Sequence, residues 1–138
     1  MKTFILLSMI SVLMMLPDTI YAQNSSNLEK VTVDLSPNQP VHKLFPLTLL
    51  SIDGKPVARK DHQIMIEAGQ HTLRFSTNID FRYLTASDRI LRNQVNQRTY
   101  QDSLTFNFET GKRYQLAFDA RPDRVEDWKP IVLHTTEQ

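Results

Sequence analysis

The chain has 138 residues, no cysteine and three glycines, and its 16 basic and 15 acidic residues give a net charge of +1. Without cysteine it can form no disulfide and carry no lipid on a cysteine at its N-terminus. The near-balanced charge gives no global argument for binding nucleic acid, and three glycines leave no phosphate-binding glycine-rich loop.

The N-terminus has the three parts of a secretory signal. Lys2 supplies the positive charge, residues 4–16 form an apolar run of 13 residues, and Ile20-Tyr21-Ala22 fits a cleavage site. The run is too short to span roughly 30 Å of hydrocarbon. We therefore predict a signal peptide over 1–22, with a retained N-terminal anchor as the alternative. Export to a bacterial periplasm is the favoured location, and the extracellular space is the second.

The rest of the chain fits one domain. Residues 23–29 are polar and without periodicity, which predicts a flexible leader, and residues 30–138 form the predicted domain. Short segments of alternating apolar and polar residues recur along it, which is typical of strands half-buried in a sheet. The predicted strands are 30–35, 44–52, 63–67, 71–75, 99–108, 113–119 and 131–133.

Three turn signals punctuate this pattern. Asp53-Gly54 between apolar segments predicts a two-residue hairpin turn of type I′, because both central residues must adopt positive φ. Residues 64–75 and 104–118 resemble each other, since each places Glu, a small residue and Gly between alternating segments. We interpret both as hairpins, either of an ordinary kind or as copies of a duplicated unit.

Residues 85–98 break the β pattern. Thr85 or Ser87 would cap a short helix near 86–95, but the asparagine- and glutamine-rich composition also fits a long loop. The predicted fold is therefore all-β, a small antiparallel β-sandwich or barrel of six to eight strands with at most one short helix.

The segment from Ile52-Asp53-Gly54-Lys55 to Ile64–Leu73 resembles the PEGA-type β-domain of bacterial surfaces. That family pairs an Asp-Gly turn with a later Pro-Gly-x-His-x-Leu motif, and Ala68 here replaces the proline. The segment is also similar to small curli-inhibitor-like periplasmic proteins, which follow a signal peptide with an Asp-Gly-Lys hairpin. Either resemblance implies a non-catalytic β-domain of the cell envelope and brings no active-site residues.

No residue pattern predicts catalysis, a metal or a cofactor. The four histidines (His42, His62, His71 and His134) are not spaced as metal ligands. No Gly-x-Ser-x-Gly motif marks a nucleophile, and most carboxylates lie at predicted turns, where solvation accounts for them. We therefore predict a protein that is not an enzyme and that has no cofactor.

The candidate partner-binding residues are mostly basic or aromatic. Residues 74–98 hold five arginines against two aspartates, and arginine with aromatic rings can bind anionic polymers, although outward arginines also protect strand edges. The only tryptophan either caps the core or anchors a binding surface. The candidates are Arg74, Arg82, Tyr83, Arg89, Arg92 and Trp128.

These observations predict a non-catalytic exported protein that binds another envelope component, a protein strand or a glycan, through strand edges and the basic segment. Nucleic acid is not an expected partner, and no transmembrane segment is expected after cleavage. Two alternatives remain, a small periplasmic hydrolase whose site forms only in the fold and a self-assembling structural module.

Overall fold

The structure is a computed structural model and describes residues 29–58, 60–84 and 88–138. The predicted signal peptide, the leader up to residue 28 and both predicted helix caps, Thr85 and Ser87, lie outside the described residues.

Nine strands form two sheets in the described part of the chain. They are β1 (Lys30–Asp34), β2 (Leu44–Phe45), β3 (Leu47–Ile52), β4 (Lys55–Pro56), β5 (Gln63–Glu67), β6 (Gly69–Thr77), β7 (Ser103–Phe108), β8 (Lys112–Asp119) and β9 (Lys129–Glu137). The all-β prediction is confirmed, and the count exceeds the expected six to eight because residues 44–56 contribute three short strands.

The first sheet contains β5, β1, β8 and β9, with β2 beside the end of β8 on the same side as β1. The second sheet has the order β4-β3-β6-β7. Neighbouring strands are antiparallel except β1 and β8, which are parallel and pair Thr32 with Arg113 and Asp34 with Gln115. The first sheet curls partly around the core, so the architecture is a sandwich that approaches a half-barrel.

The core lies between the two sheets. Alternation places Val31 and Val33 of β1 against Leu73 and Phe75 of β6, and all four are at most 2% exposed. Rings fill the end near β7 and β8, where Phe108 meets Tyr114 edge-to-face at 5.1 Å between ring centres. The core contains no disulfide, so burial of these apolar faces is its main source of stability.

Asp34 fixes the parallel contact between β1 and β8 on the outer face of the first sheet. Its carboxylate accepts hydrogen bonds from the backbone and hydroxyl of Ser36 at 2.9 and 2.6 Å and from the Gln115 amide at 3.3 Å. Desolvation raises the pKa of Asp34, but the hydrogen bonds from Ser36 and Gln115 outweigh it, and the pKa lies below its usual value.

The Asp53-Gly54 prediction is confirmed. β3 and β4 pair antiparallel across these two residues, Ile52 opposite Lys55, and φ is 50° at Asp53 and 80° at Gly54. Positive φ at both positions is the requirement of a type I′ turn. Pro46 separates β2 in one sheet from β3 in the other, so the chain passes between the sheets at this residue.

The two hairpins predicted over 64–75 and 104–118 are wrong. β5 and β6 lie in different sheets, and so do β7 and β8. Gly69 and Gly111, with φ of 117° and 77°, therefore turn the chain from one sheet to the other rather than back along its own partner. The alternating segments do form strands, but burial against the common core is satisfied equally well by strands that face each other across the sandwich.

The helix alternative for residues 85–98 is confirmed by α1 (Asp88–Asn96). Its half-buried residues Leu91 and Val95 pack against the core. The helix ends at a tight turn in which Arg98 has φ of 53°. Short 3₁₀ turns at Pro40–His42, Phe81–Tyr83 and Val125–Asp127 complete the connections.

Candidate binding surfaces

Two of the predicted basic residues lie together at one end of the sandwich, in contact with neighbouring groups. Arg82 forms an ion pair with Asp80 at 2.6 Å and is 83% exposed, and its guanidinium lies 5.9 Å from the centre of the Tyr83 ring. Arg92 of α1 lies over Phe81 at 5.3 Å. The Asp80 carboxylate raises the pKa of Arg82, and that pair largely cancels its own charge. The side chain of Arg89 lies outside the described residues.

Trp128 lies in the core, which agrees with the first of its two interpretations from the sequence. Its side chain is 2% exposed, and its indole N–H donates to the Pro122 carbonyl at 2.8 Å. Trp128 thus meets the requirement that a buried indole pairs its N–H. It offers no exposed anchor to a partner in this conformation.

The fold creates a cleft of about 480 Å³ between β5 and the β3–β4 turn. We call it the His71 cleft. Its apolar lining is interrupted by charges of both signs, and Met65, on the outer face of β5, is 65% exposed. The lining residues are Lys30, Ile52, Asp53, Lys55, Pro56, Val57, Met65, Ile66, Glu67 and His71.

His71 is held between two acceptors in this cleft. Its Nδ1 lies 2.6 Å from Asp53 Oδ2, and its Nε2 lies 2.9 Å from the Glu67 carbonyl oxygen. The Asp53 carboxylate and the Glu67 carbonyl are both acceptors, so each ring nitrogen faces one acceptor within hydrogen-bond distance. Both nitrogens are therefore occupied by hydrogen bonds. This arrangement suits a structural cross-link between the β3–β4 turn, β6 and the end of β5.

The sequence predicts Asp53 only as a turn residue, but in the structure Asp53 is also a hydrogen-bond partner of His71. Its other oxygen accepts the Thr72 backbone N–H at 2.8 Å. The Thr72 N–H and the His71 ring lower the pKa of Asp53 below its usual value. The carboxylate therefore joins the β3–β4 turn to β6.

A second groove, of about 370 Å³, separates β7 from β9. We call it the seam, because it runs between the outer strands of the two sheets. The strands touch at one end, where the Gln101 N–H donates to the Trp128 carbonyl at 2.9 Å. Both strands run away from this bond in the chain direction, with the groove between them. The seam is lined by Gln101, Ser103, Leu104, Thr105 and Phe106 on one side and by Lys129, Pro130, Ile131 and Val132 on the other.

The seam exposes strand backbone. The Phe75 N–H donates to Asp102, and hydrogen-bonded pairs alternate in an antiparallel ladder. Ser103, Thr105 and Asn107 of β7 therefore direct their N–H and C=O groups away from β6. No strand in the described part of the chain pairs with that side of β7.

Arg74 lies apart from Arg82 and Arg92, in a third cleft on the outer face of the second sheet. This cleft has a volume of about 370 Å³, and we call it the arginine cleft. Arg74 Nε donates to Asp102 Oδ2 at 3.0 Å. The predicted basic residues therefore occupy two surfaces rather than one.

Sequence reasoning missed the seam and the contact between Asp53 and His71. The Asp-Gly turn and the alternating segment that contains His71 are both visible in the sequence. The two residues are 18 positions apart, however, and only the pairing of their strands brings them into contact. The seam has no local signal, because it arises where two sheets fail to meet.

Within the described residues, no group of three or more His, Cys, Asp or Glu side chains is placed to hold a metal ion. No helix in the same ranges has the length and apolar character to cross a bilayer. No family model, no curated protein and no solved structure matches the chain.

Proposed function

We propose that this is a non-catalytic, exported binding protein that accepts an extended segment of an envelope partner as an added strand in the seam. The observation that supports the proposal most directly is the single hydrogen bond between Gln101 and Trp128, beyond which β7 and β9 are not paired in the described part of the chain and line one groove. Both strands then present backbone to the same groove, and strand addition supplies partners for such groups.

The β7 side of the seam is the primary edge. Ser103 and Thr105 direct N–H and C=O groups into it, and the six residues of β7 include no proline and no charge. Natural proteins protect open edges with proline, charge or bulges. β9 has two of these devices, Pro130 and the register shift near Leu133. We therefore place the ladder of hydrogen bonds on β7 and treat β9 as the second wall.

The side chains of the seam specify the kind of partner. Leu104, Phe106 and Val132 are half-buried and pack against the core, and Lys129 is the charged residue of the lining. An incoming strand with apolar residues at alternate positions would extend the core at this level, because successive side chains of a strand point to opposite faces. A protein strand thus fits the groove better than a glycan does.

The test uses a short acetylated and amidated peptide of alternating Thr and Val, added to the purified full-length protein and followed by amide hydrogen exchange. We expect slower exchange at Ser103 and Thr105. Replacement of Thr105 by proline removes an outward N–H and leaves the backbone bonds to β6 in place, although it also removes the bond between the hydroxyls of Thr105 and Thr72. The variant should weaken peptide binding at least tenfold.

Met65→Pro is the matched control. The Ala68 N–H donates to Glu29, so alternation directs the Met65 N–H away from β1, as Thr105 directs its own away from β6. This variant should bind the peptide as the parent protein does. Equal loss in both variants, or protection at Met65 rather than at Thr105, would contradict the seam as the site.

A further inference from the structure

The arginine cleft is a surface separate from the seam, where strand addition is proposed. It lies between β6 and the chain that follows α1, and two arginines line it, Arg74 and Arg98, with one carboxylate, Asp102. The lining therefore has an excess positive charge. Ser76 and Tyr100 add hydroxyl-bearing side chains.

Arg74 is held by one hydrogen bond and keeps further N–H donors available. Its hydrogen bond to Asp102 uses Nε and leaves the side chain 57% exposed. The two terminal nitrogens form no hydrogen bond among the residues that the structure describes. A guanidinium fixed at Nε presents the remaining donors as a fork that matches an oxyanion.

Arg98 occupies a position where an arginine is unexpected. Helices often end on a residue with left-handed backbone, which is usually glycine or asparagine, but here Arg98 takes φ of 53°. Its N–H donates to Val95, and the next residue, Thr99, donates to Gln94 through both its N–H and its hydroxyl. The turn is thus fixed by several bonds. Backbone strain kept at a site in this way is characteristic of functional positions.

We propose that the arginine cleft binds an oxyanion, a phosphate or a carboxylate group, between Arg74 and Arg98. The hydroxyls of Ser76 and Tyr100 supply uncharged donors to the same group. Asp102 holds Arg74 in place and disfavours anions that approach from its own side. A lone group on a larger molecule suits the cleft better than a polyanionic chain, because only two arginines line it.

The test is calorimetric titration of the full-length protein, at low salt, with inorganic phosphate and separately with glucuronate. We expect saturable binding of at least one probe. Saturation by phosphate alone would assign phosphate monoesters, and saturation by glucuronate alone would assign carboxylates.

Arg98→Gly separates this role from a structural one. Glycine adopts left-handed backbone without strain, so the variant should unfold at a higher temperature and yet bind the anion at least tenfold more weakly. Arg74→Ser should show the same loss of binding. Arg124→Ser, at an exposed arginine paired with Glu126 elsewhere on the surface, is the control and should bind normally.

Three results would overturn the proposal. They are the absence of saturable binding of either probe, unchanged affinity in Arg98→Gly and Arg74→Ser, and an equal loss in Arg124→Ser, which would indicate attraction by surface charge in general.

Discussion

Two of the open edges of the sandwich, β5 and β7, differ in how the outward groups of their backbone are bonded. At the β5 edge, His71 donates to the outward carbonyl of Glu67, and charges such as Lys55 line the neighbouring cleft. At the β7 edge, the groove is mainly apolar, and in the described part of the chain no side chain is bonded to the outward groups of Ser103 or Thr105. Exposed edges are a hazard for aggregation, so the contrast indicates that one edge is protected and the other is kept for a partner.

The largest expected effect comes from replacing Phe108, whose ring packs between residues near the two edges. Phe108 is 1% exposed and lies 5.0 Å from Phe106 on the seam side and 6.5 Å from His71 on the cleft side, measured between ring centres. Phe108→Ala should lower the free energy of unfolding by about 3–5 kcal/mol, as measured by urea denaturation. Phe108→Leu, which keeps most of the volume, should cost much less. A loss in Phe108→Ala below about 1 kcal/mol would show that the two edges do not share a packed core.

A smaller effect should appear as a pH dependence of the protected edge. The pKa of Asp53 in the folded protein lies below the ordinary value of 3.8, so the unfolded chain binds more protons near that pH. The stabilisation by Asp53 is therefore present above about pH 4 and is lost as the pH falls through the folded pKa. Asp53→Asn should unfold at a lower temperature than the parent protein at pH 6, and the gap should narrow towards pH 3.

Asp123→Asn is the control for this measurement, because Asp123 is exposed and forms no ion pair within the described residues. Its unfolding temperature should follow that of the parent at both pH values. A gap for Asp53→Asn that stays constant with pH would show that the carboxylate's charge contributes nothing to the β5 edge.

The smallest effect is expected on the outer face of β5. Met65 is 65% exposed, so Met65→Lys should change the free energy of unfolding by no more than about 0.5 kcal/mol and should leave peptide binding at the seam unchanged. Its neighbour Ile66, which is 5% exposed, gives the contrasting variant Ile66→Lys, expected to be strongly destabilised by a buried unpaired charge. Weaker peptide binding in Met65→Lys would indicate that the peptide binds at the β5 edge and would contradict the seam as the site.

The sequence was informative wherever a single segment determines the outcome. Alternation located most strands, and Asp53-Gly54 specified its turn type, because positive φ is a local demand. The helix at Asp88–Asn96 was one of two alternatives, since its polar composition weakens the local signal. These features depend on neighbours within a few residues.

Strand partners were not predictable in the same way. The turns at Gly69 and Gly111 contain the residues of hairpin turns, but the strands on either side join different sheets. Which partner a strand chooses depends on how all the apolar faces are buried together. The candidate surfaces follow the same rule, since Arg74 of β6 and Arg98 after α1 line one cleft, and the seam lies between β7 and β9, which belong to different sheets.

The parallel contact between β1 and β8 also determines when the protein can fold. Asp34 and Gln115, which are joined across this contact, are 81 positions apart, and β1 lies between β5 and β8 in its sheet. β1 can therefore complete its pairing only when β8, one of the last strands in the sequence, is available, and contacts of such long range slow folding. A chain that emerges from the ribosome N-terminus first leaves one edge of β1 unpaired until β8 has been synthesised, and an unpaired strand edge is open to aggregation during that interval.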